Sequence, residues 1–167
     1  MKSKSKKGIF FLITGAQGTG KTTIGKKLTL RLKKEFGHTI YCDGDILRNI
    51  FEFTDYSVEG RKKLDKPYHK FCNYIINQNI NLVFSTVSAG WTQKQMKKKG
   101  ENFFEIYITR PFKFRKKIKK KIFKDIKNQK IIKSKTYNLK ITNNNNKQMI
   151  KVFVNKIIKE FKIFSKK

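Results

Sequence analysis

The sequence predicts an α/β fold: a mostly parallel five-stranded sheet with helices on both faces, in three layers. Three observations lead there. Apolar runs of strand length alternate with helical patterns along the chain. The first run leads through a glycine-rich loop into an amphipathic helix. Two carboxylates stand at the end of the second run, at the rim where open sheets of this kind bind ligands. At 167 residues the chain reads as one domain, 1–167, long enough for a sizeable core.

Ile9-Phe10-Phe11-Leu12-Ile13 reads as a buried first strand. Gly15-Ala16-Gln17-Gly18-Thr19-Gly20-Lys21-Thr22 follows and fits the phosphate-loop pattern G-x-x-x-x-G-K-[ST] at every fixed position. Ile24, Leu28 and Leu32 then share one helical face, to about Phe36, with a stop at Gly37. Strand, glycine loop and helix aim backbone N–H groups and a helix N-terminus at a polyphosphate. Gly15, Gly18 and Gly20 allow close approach of the backbone to phosphate. The pattern gives ATP and Mg²⁺ as ligands: Lys21 bridges the β- and γ-phosphates, and the Thr22 hydroxyl joins the metal shell. Thr19 and Thr23 belong to the same nucleotide-binding stretch.

His38 to Cys42 is the second strand, ending in Asp43-Gly44-Asp45 and then Arg48. One carboxylate can hold the water shell of the metal, and the other can accept a proton from an attacking hydroxyl. Arg48 suits an anionic group on the acceptor. An acidic turn capping the next helix is the plainer alternative. A mostly helical segment runs to about Asn79, with Leu64, Tyr68, Phe71, Cys72, Ile75 and Ile76 as its apolar stripe and Pro67 as a kink or new turn. His69 is expected on its surface.

Leu82 to Thr86 is the third strand, continuing to Gly90. It lacks the strand-end Asp of the usual hydrolysing nucleoside triphosphatases, and the acidic pair on the second strand points instead to phosphorylation of a small molecule. Ser85 and Ser88 are expected near the transfer site, and Trp91 starts an amphipathic piece through Met96. Phe103 to Ile108 is the fourth strand, followed by Thr109-Arg110-Pro111. Lysine-dense sequence at about 112–135 suits a basic lid. Tyr137 to Thr142 is the fifth strand, Asn143 to Asn146 a polar loop, and Lys147 to Phe164 a terminal helix.

Lys+Arg 41 against Asp+Glu 11 gives a formal charge of +30. The charge is mostly lysine spread over nearly every predicted helix, so a solvated surface is favoured over a dedicated nucleic-acid site. Cys42 and Cys72 match no metal-ligand spacing and suit a reducing, cytoplasmic setting. Residues 1–7 form a basic tail, the apolar run behind it is too short for a secretory signal, and no stretch is long enough to span a membrane.

With these segments set out, the chain resembles the adenylyl-sulfate kinase (APS kinase) family. Gly15 to Ile24 is shared with several small-molecule kinases, whereas Asp43-Gly44-Asp45-Ile46-Leu47-Arg48 resembles the family's own Asp-Gly-Asp-x-x-Arg. Phe53 to Ser57 with Glu59-Gly60-Arg61 is similar to its acceptor-binding segment, and Ser85-Thr86-Val87-Ser88 to its strand-end serine segment. The resemblance covers about residues 9–111. It implies the three-layer P-loop NTPase fold and the transfer of phosphate from ATP to the 3′-hydroxyl of adenylyl sulfate. It further implies Lys21, Asp43, Asp45 and Ser88 at the reacting centre, with Thr22 and Asp45 on the metal. Arg48, Arg61 and Lys120 then meet the acceptor, and Phe53 stacks on its base. Many relatives are homodimers. The family's lid reads Arg-Asp-x-Lys-Gly-Leu-Tyr; here Lys117 to Phe123 keeps Lys120 and the apolar–aromatic pair. That departure leaves room for another hydroxyl acceptor, such as a sugar or nucleoside. A basic nucleotide-binding protein that docks on nucleic acid is the reading from a different class.

Overall fold

The structure, a computed structural model, describes residues 7–87, 94–96, 98, 102–111, 137–144 and 148–166. The elements are β1 (Phe10–Thr14), α1 (Lys21–Phe36), β2 (Thr39–Asp43), α2 (Gly44–Ile50), α3 (Val58–Asn77), β3 (Asn81–Thr86), β4 (Phe103–Thr109), β5 (Leu139–Thr142) and α4 (Met149–Phe164). The five strands pair in the order β2-β3-β1-β4-β5. Every pairing is parallel.

β1, β3 and most of β4 are buried on both faces, so they read as unbroken apolar runs. The two faces carry separate cores. On one, Phe11, Ile13 and Phe104 of the sheet meet Leu28 and Leu32 of α1 and Phe161 of α4. The Phe161 ring lies edge-on to Phe11 at 4.8 Å and to Phe104 at 5.6 Å. On the other, Phe10, Leu12 and Phe84 meet Leu47 of α2 and Leu64, Tyr68 and Cys72 of α3. The five-stranded sheet with helices on both faces is thus the fold that the sequence predicted.

Strand and helix limits fall within a residue or two of the expected ones, and α2 is an addition. At seven residues it spans two turns, too short for an apolar stripe to announce it. Pro67 lies inside α3. His69 corrects the expectation of a surface residue: it is buried, and its Nε2 is 2.7 Å from the Asn73 amide. The sequence places it one turn from Asn73 but does not reveal what covers that face.

Because all strands run the same way, β1, β2, β3 and β4 end at one rim. Thr14 lies beside Thr86 and Tyr107, and Asp43 lies beside Ser85. The sequence-predicted site residues within the described chain cluster at this rim or just beyond it. Ser88, Trp91, Lys120 and the lid at about 112–135 lie outside the described residues.

Candidate active site

The glycine loop runs from the end of β1 to the start of α1. Gly15 has φ +149, and a Cβ there would lie 2.2 Å from the Ile108 carbonyl oxygen of β4. A side chain would force the loop off the sheet. Within the loop the Ala16 carbonyl accepts two bonds, from Thr19 Oγ1 at 2.9 Å and from Lys21 Nζ at 2.9 Å. α1 starts at Gly20 with no side-chain cap and no acidic residue in its first turn. Its first N–H groups and the positive end of its dipole take no side-chain cap and can therefore receive an anion. Thr22 and Thr23 are exposed at that end.

Asp43 is brought to the same place from β2. Its Oδ2 accepts from Thr22 Oγ1 at 3.0 Å, Tyr41 Oη at 2.8 Å and Ser85 Oγ at 2.9 Å. Its Oδ1 accepts from the Asp45 N–H at 3.0 Å, which caps α2. The capping and active-site readings of this carboxylate therefore coexist. Tyr41 Oη and Ser85 Oγ also lie 2.6 Å apart; with one hydroxyl proton each, the pair can make two of these three contacts at a time. Partial burial pushes the Asp43 carboxyl up, but the bonds from Tyr41, Asp45, Ser85 and Thr22 outweigh it and hold the group below the usual carboxylate range. Burial pushes Tyr41 up to about 12, against the bonds from Ser85 and Thr22 and with Asp43 adding to the rise, so it remains a donor. Thr22 and Asp43 form a set of hard oxygen donors that fits Mg²⁺.

The two arginines lie on the α2–α3 side. Arg48 is buried, its Nη1 donates to the Asp55 carbonyl at 2.8 Å, and its guanidinium stands 4.7 Å from the Tyr56 ring and 5.8 Å from Phe53. Asp55 in turn accepts from the Ser57 N–H at 2.8 Å, and Ser57 caps α3 through Gly60 N–H at 3.0 Å. A Cβ on Gly60 would lie 2.4 Å from Asp55 Cγ, which explains the glycine in Glu59-Gly60-Arg61. Arg61 is half-buried, and its Nε is buried with no hydrogen-bond partner among the described residues. Its pKa is lowered first by loss of water and then by the neighbouring Arg48 charge, while Asp45 and two tyrosines oppose the shift. Two cations close enough to repel each other, one with an unused buried donor, could hold an anion.

The two carboxylates of the motif thus diverge. Asp43 turns to the glycine loop, whereas Asp45 is exposed on the first turn of α2 and its charge acts on Arg61 and Tyr68. Phe53 is half-buried, packed on the α2–α3 core and against Arg48. Sequence reasoning missed Tyr41 as a functional group, although its place two residues before Asp43 on a strand puts both on one face. It also missed Asn143, which read as part of a polar loop. Its side-chain amide reaches the Thr19 carbonyl at 2.9 Å.

The fold, with its glycine loop after β1, is one that solved P-loop kinases share. The structure of Mycobacterium tuberculosis APS kinase in complex with AMPPNP and APS shares this fold at TM-score 0.73 and 19% identity, covering 93% of this chain and 98% of that one. Shikimate kinase from Aquifex aeolicus shares it at TM-score 0.58 and 13% identity, covering 92% and 98%.

The chain belongs to the adenylylsulphate kinase family, whose model matches residues 7–138. Among curated relatives, the cytidine diphosphoramidate kinase of Campylobacter jejuni is 36% identical over 101 residues, covering 58% of this chain and 57% of that protein. The adenylyl-sulfate kinase of Pseudomonas aeruginosa is 26% identical over 103 residues, covering 59% and 53%. The matched stretch spans between 53% and 61% of the length of these and similar curated relatives.

Proposed function

We propose that this protein transfers the γ-phosphate of ATP to a hydroxyl of a nucleotide whose anionic tail lies against Arg61. The observation that carries the reading is the bond from Thr22 to Asp43, which ties the loop that cradles phosphate to the strand that faces the acceptor.

Lys21 and the loop amides bind the β- and γ-phosphates. Thr22 and Asp43 would hold Mg²⁺, which supplies charge neutralisation on the phosphates. A carboxylate held below its usual range is a weak base, so Asp43 orients the acceptor hydroxyl as a hydrogen-bond acceptor rather than deprotonating it early. That suits a loose transition state, in which little charge builds on the attacking oxygen and the proton leaves late. The hydroxyl oxygen bonds to the γ-phosphorus as the bond to the ADP oxygen breaks. Asp45 sits on the acceptor side, beside Arg61, in place of the metal role expected from sequence. Arg61 meets the anionic tail directly. Arg48, committed to the Asp55 carbonyl and two rings, shapes the pocket and adds its charge. Phe53 offers an aromatic surface near the base. Ser88 and Lys120 remain proposed contacts from the strand-end segment and the lid. Transfer is direct and in line, with Ser88 as a hydrogen-bonding residue.

Two acceptors follow. Adenylyl sulfate is the one implied by the motif Asp43 to Arg48 and by the family. Cytidine diphosphoramidate is favoured by one specific observation, the 36% identity to the Campylobacter jejuni kinase against 24–28% for the adenylyl-sulfate kinases. Both names describe a nucleoside joined to two linked anionic centres, which matches paired arginines. The deciding experiment is ADP release in Mg²⁺ with each acceptor in turn, and with a sugar and a free nucleoside. A kcat/KM at least tenfold higher for one nucleotide acceptor identifies it. Equal rates with the free nucleoside would refute a role for the arginines in acceptor choice.

A further inference from the structure

The loop's peptide planes are held from outside the loop. Asn143 is the first residue after β5, and its backbone N–H donates to the Thr109 carbonyl of β4 at 2.8 Å. Its side chain is buried and donates through Nδ2 to the Thr19 carbonyl at 2.9 Å, across 124 residues of sequence. The same Nδ2 fills the place that a Cβ on Gly20 would take, 2.7 Å away. In a trans peptide, C=O and N–H point in opposite directions. Fixing the Thr19 carbonyl toward Asn143 therefore turns the Gly20 N–H the other way, away from Asn143. Gly20, at φ +96, has the freedom to let this peptide flip if nothing holds it. Arg110, at the end of β4, donates to the Gly18 carbonyl at 3.3 Å and acts alike on the next plane.

We infer that Asn143 is a positioning residue for nucleotide binding: it aims the Gly20 N–H at the ATP phosphates and so sets affinity for the polyphosphate. The inference rests on the proposed use of this loop for ATP. It predicts an effect confined to the phosphate side of the site. Asn143→Asp keeps the shape but replaces the donor with an oxygen that repels the Thr19 carbonyl. Asn143→Ala leaves the plane unheld.

The test measures binding of Mg-ATP and of ADP by calorimetry, the acceptor KM at saturating ATP, and urea unfolding, for the full chain and both variants. The expected result is roughly tenfold weaker ATP and ADP binding in each variant, the worth of one buried hydrogen bond, with the acceptor KM unchanged. A second readout is the Gly20 amide proton, whose shift on adding ADP should be large in the original chain and small in Asn143→Asp. Unchanged ATP affinity in the variants overturns the inference. So does a fall in nucleotide affinity, acceptor affinity and stability together, which marks Asn143 as a packing residue. If Asn143→Ala fails to fold, the isosteric Asn143→Asp decides. Failure of the original chain to bind Mg-ATP would refute the proposed use of the loop itself.

Discussion

The glycine-loop side and the arginine side of the site are built differently. Around the glycine loop, one carboxylate oxygen takes three hydroxyl donors, and the carbonyls of Ala16, Gly18 and Thr19 all have partners. Around the arginines, Arg48 meets two rings and the Asp55 carbonyl, and Arg61 Nε has no partner among the described residues. A satisfied network costs little to reorganise when the ligand arrives, which suits a phosphate donor common to many kinases. An unsatisfied buried donor costs stability until a ligand pairs with it. Under the proposed function, selectivity for the acceptor would rest in part on Arg61, whose buried Nε a ligand can pair.

The sharpest way to break this contrast is Asp43→Asn. It removes the charge shared by the two sides, and kcat should fall about a hundredfold or more while ATP still binds. Steady-state rates with a parallel nucleotide-binding measurement check this; near-normal turnover would remove Asp43 from the chemistry. Next comes Arg61→Ala, expected to raise the acceptor KM by roughly 10- to 100-fold, the worth of a charge-assisted contact, with the ATP KM unchanged. Arg61→Lys should recover part of the loss, because it keeps the charge but not the fork. An ATP KM that rose equally would erase the distinction between the two sides.

The smallest effect is expected from Tyr41→Phe, a loss in kcat of about five- to tenfold. Its pH dependence sharpens the test. The folded Asp43 titrates below its ordinary value of 3.8, so its stabilising contribution is present above that pH and is lost as pH falls through the folded value. Removing the phenol removes one of the bonds that lower it. The acid limb of both activity and stability should then move toward neutrality in Tyr41→Phe. An unmoved limb would mean that Ser85, Thr22 and the Asp45 amide suffice.

Much of this architecture was legible from the amino-acid order because single rules governed it. β1 and β3 are buried on both faces and appear as apolar runs, and the glycine loop has a fixed spacing that serves one kind of ligand. The residues that were hard to read are those whose role depends on a distant partner. Asn143 sits in a run of asparagines, and its contact with Thr19 exists because β5 ends next to β4. His69 has helical neighbours of mixed polarity, so its burial is set by tertiary packing. Residue type alone left Asp43 and Asp45 interchangeable for metal and acceptor roles, and the family resemblance put Asp45 on the metal. The N-cap of α2 separates them by sending one carboxylate back to the loop and the other outward.

Of the residues proposed to meet the acceptor, Asp45, Arg48, Phe53 and Arg61, with Tyr56 beside Arg48, lie in one uninterrupted stretch of chain, from α2 into the first turn of α3. Such a stretch is a natural cassette. Exchanging it for the same stretch of a relative with a different preference should transplant the preference and leave the nucleotide cradle untouched. One boundary is strict: a Cβ on Gly44 would stand 2.9 Å from Thr86 Oγ1, so any graft must keep glycine at its leading edge.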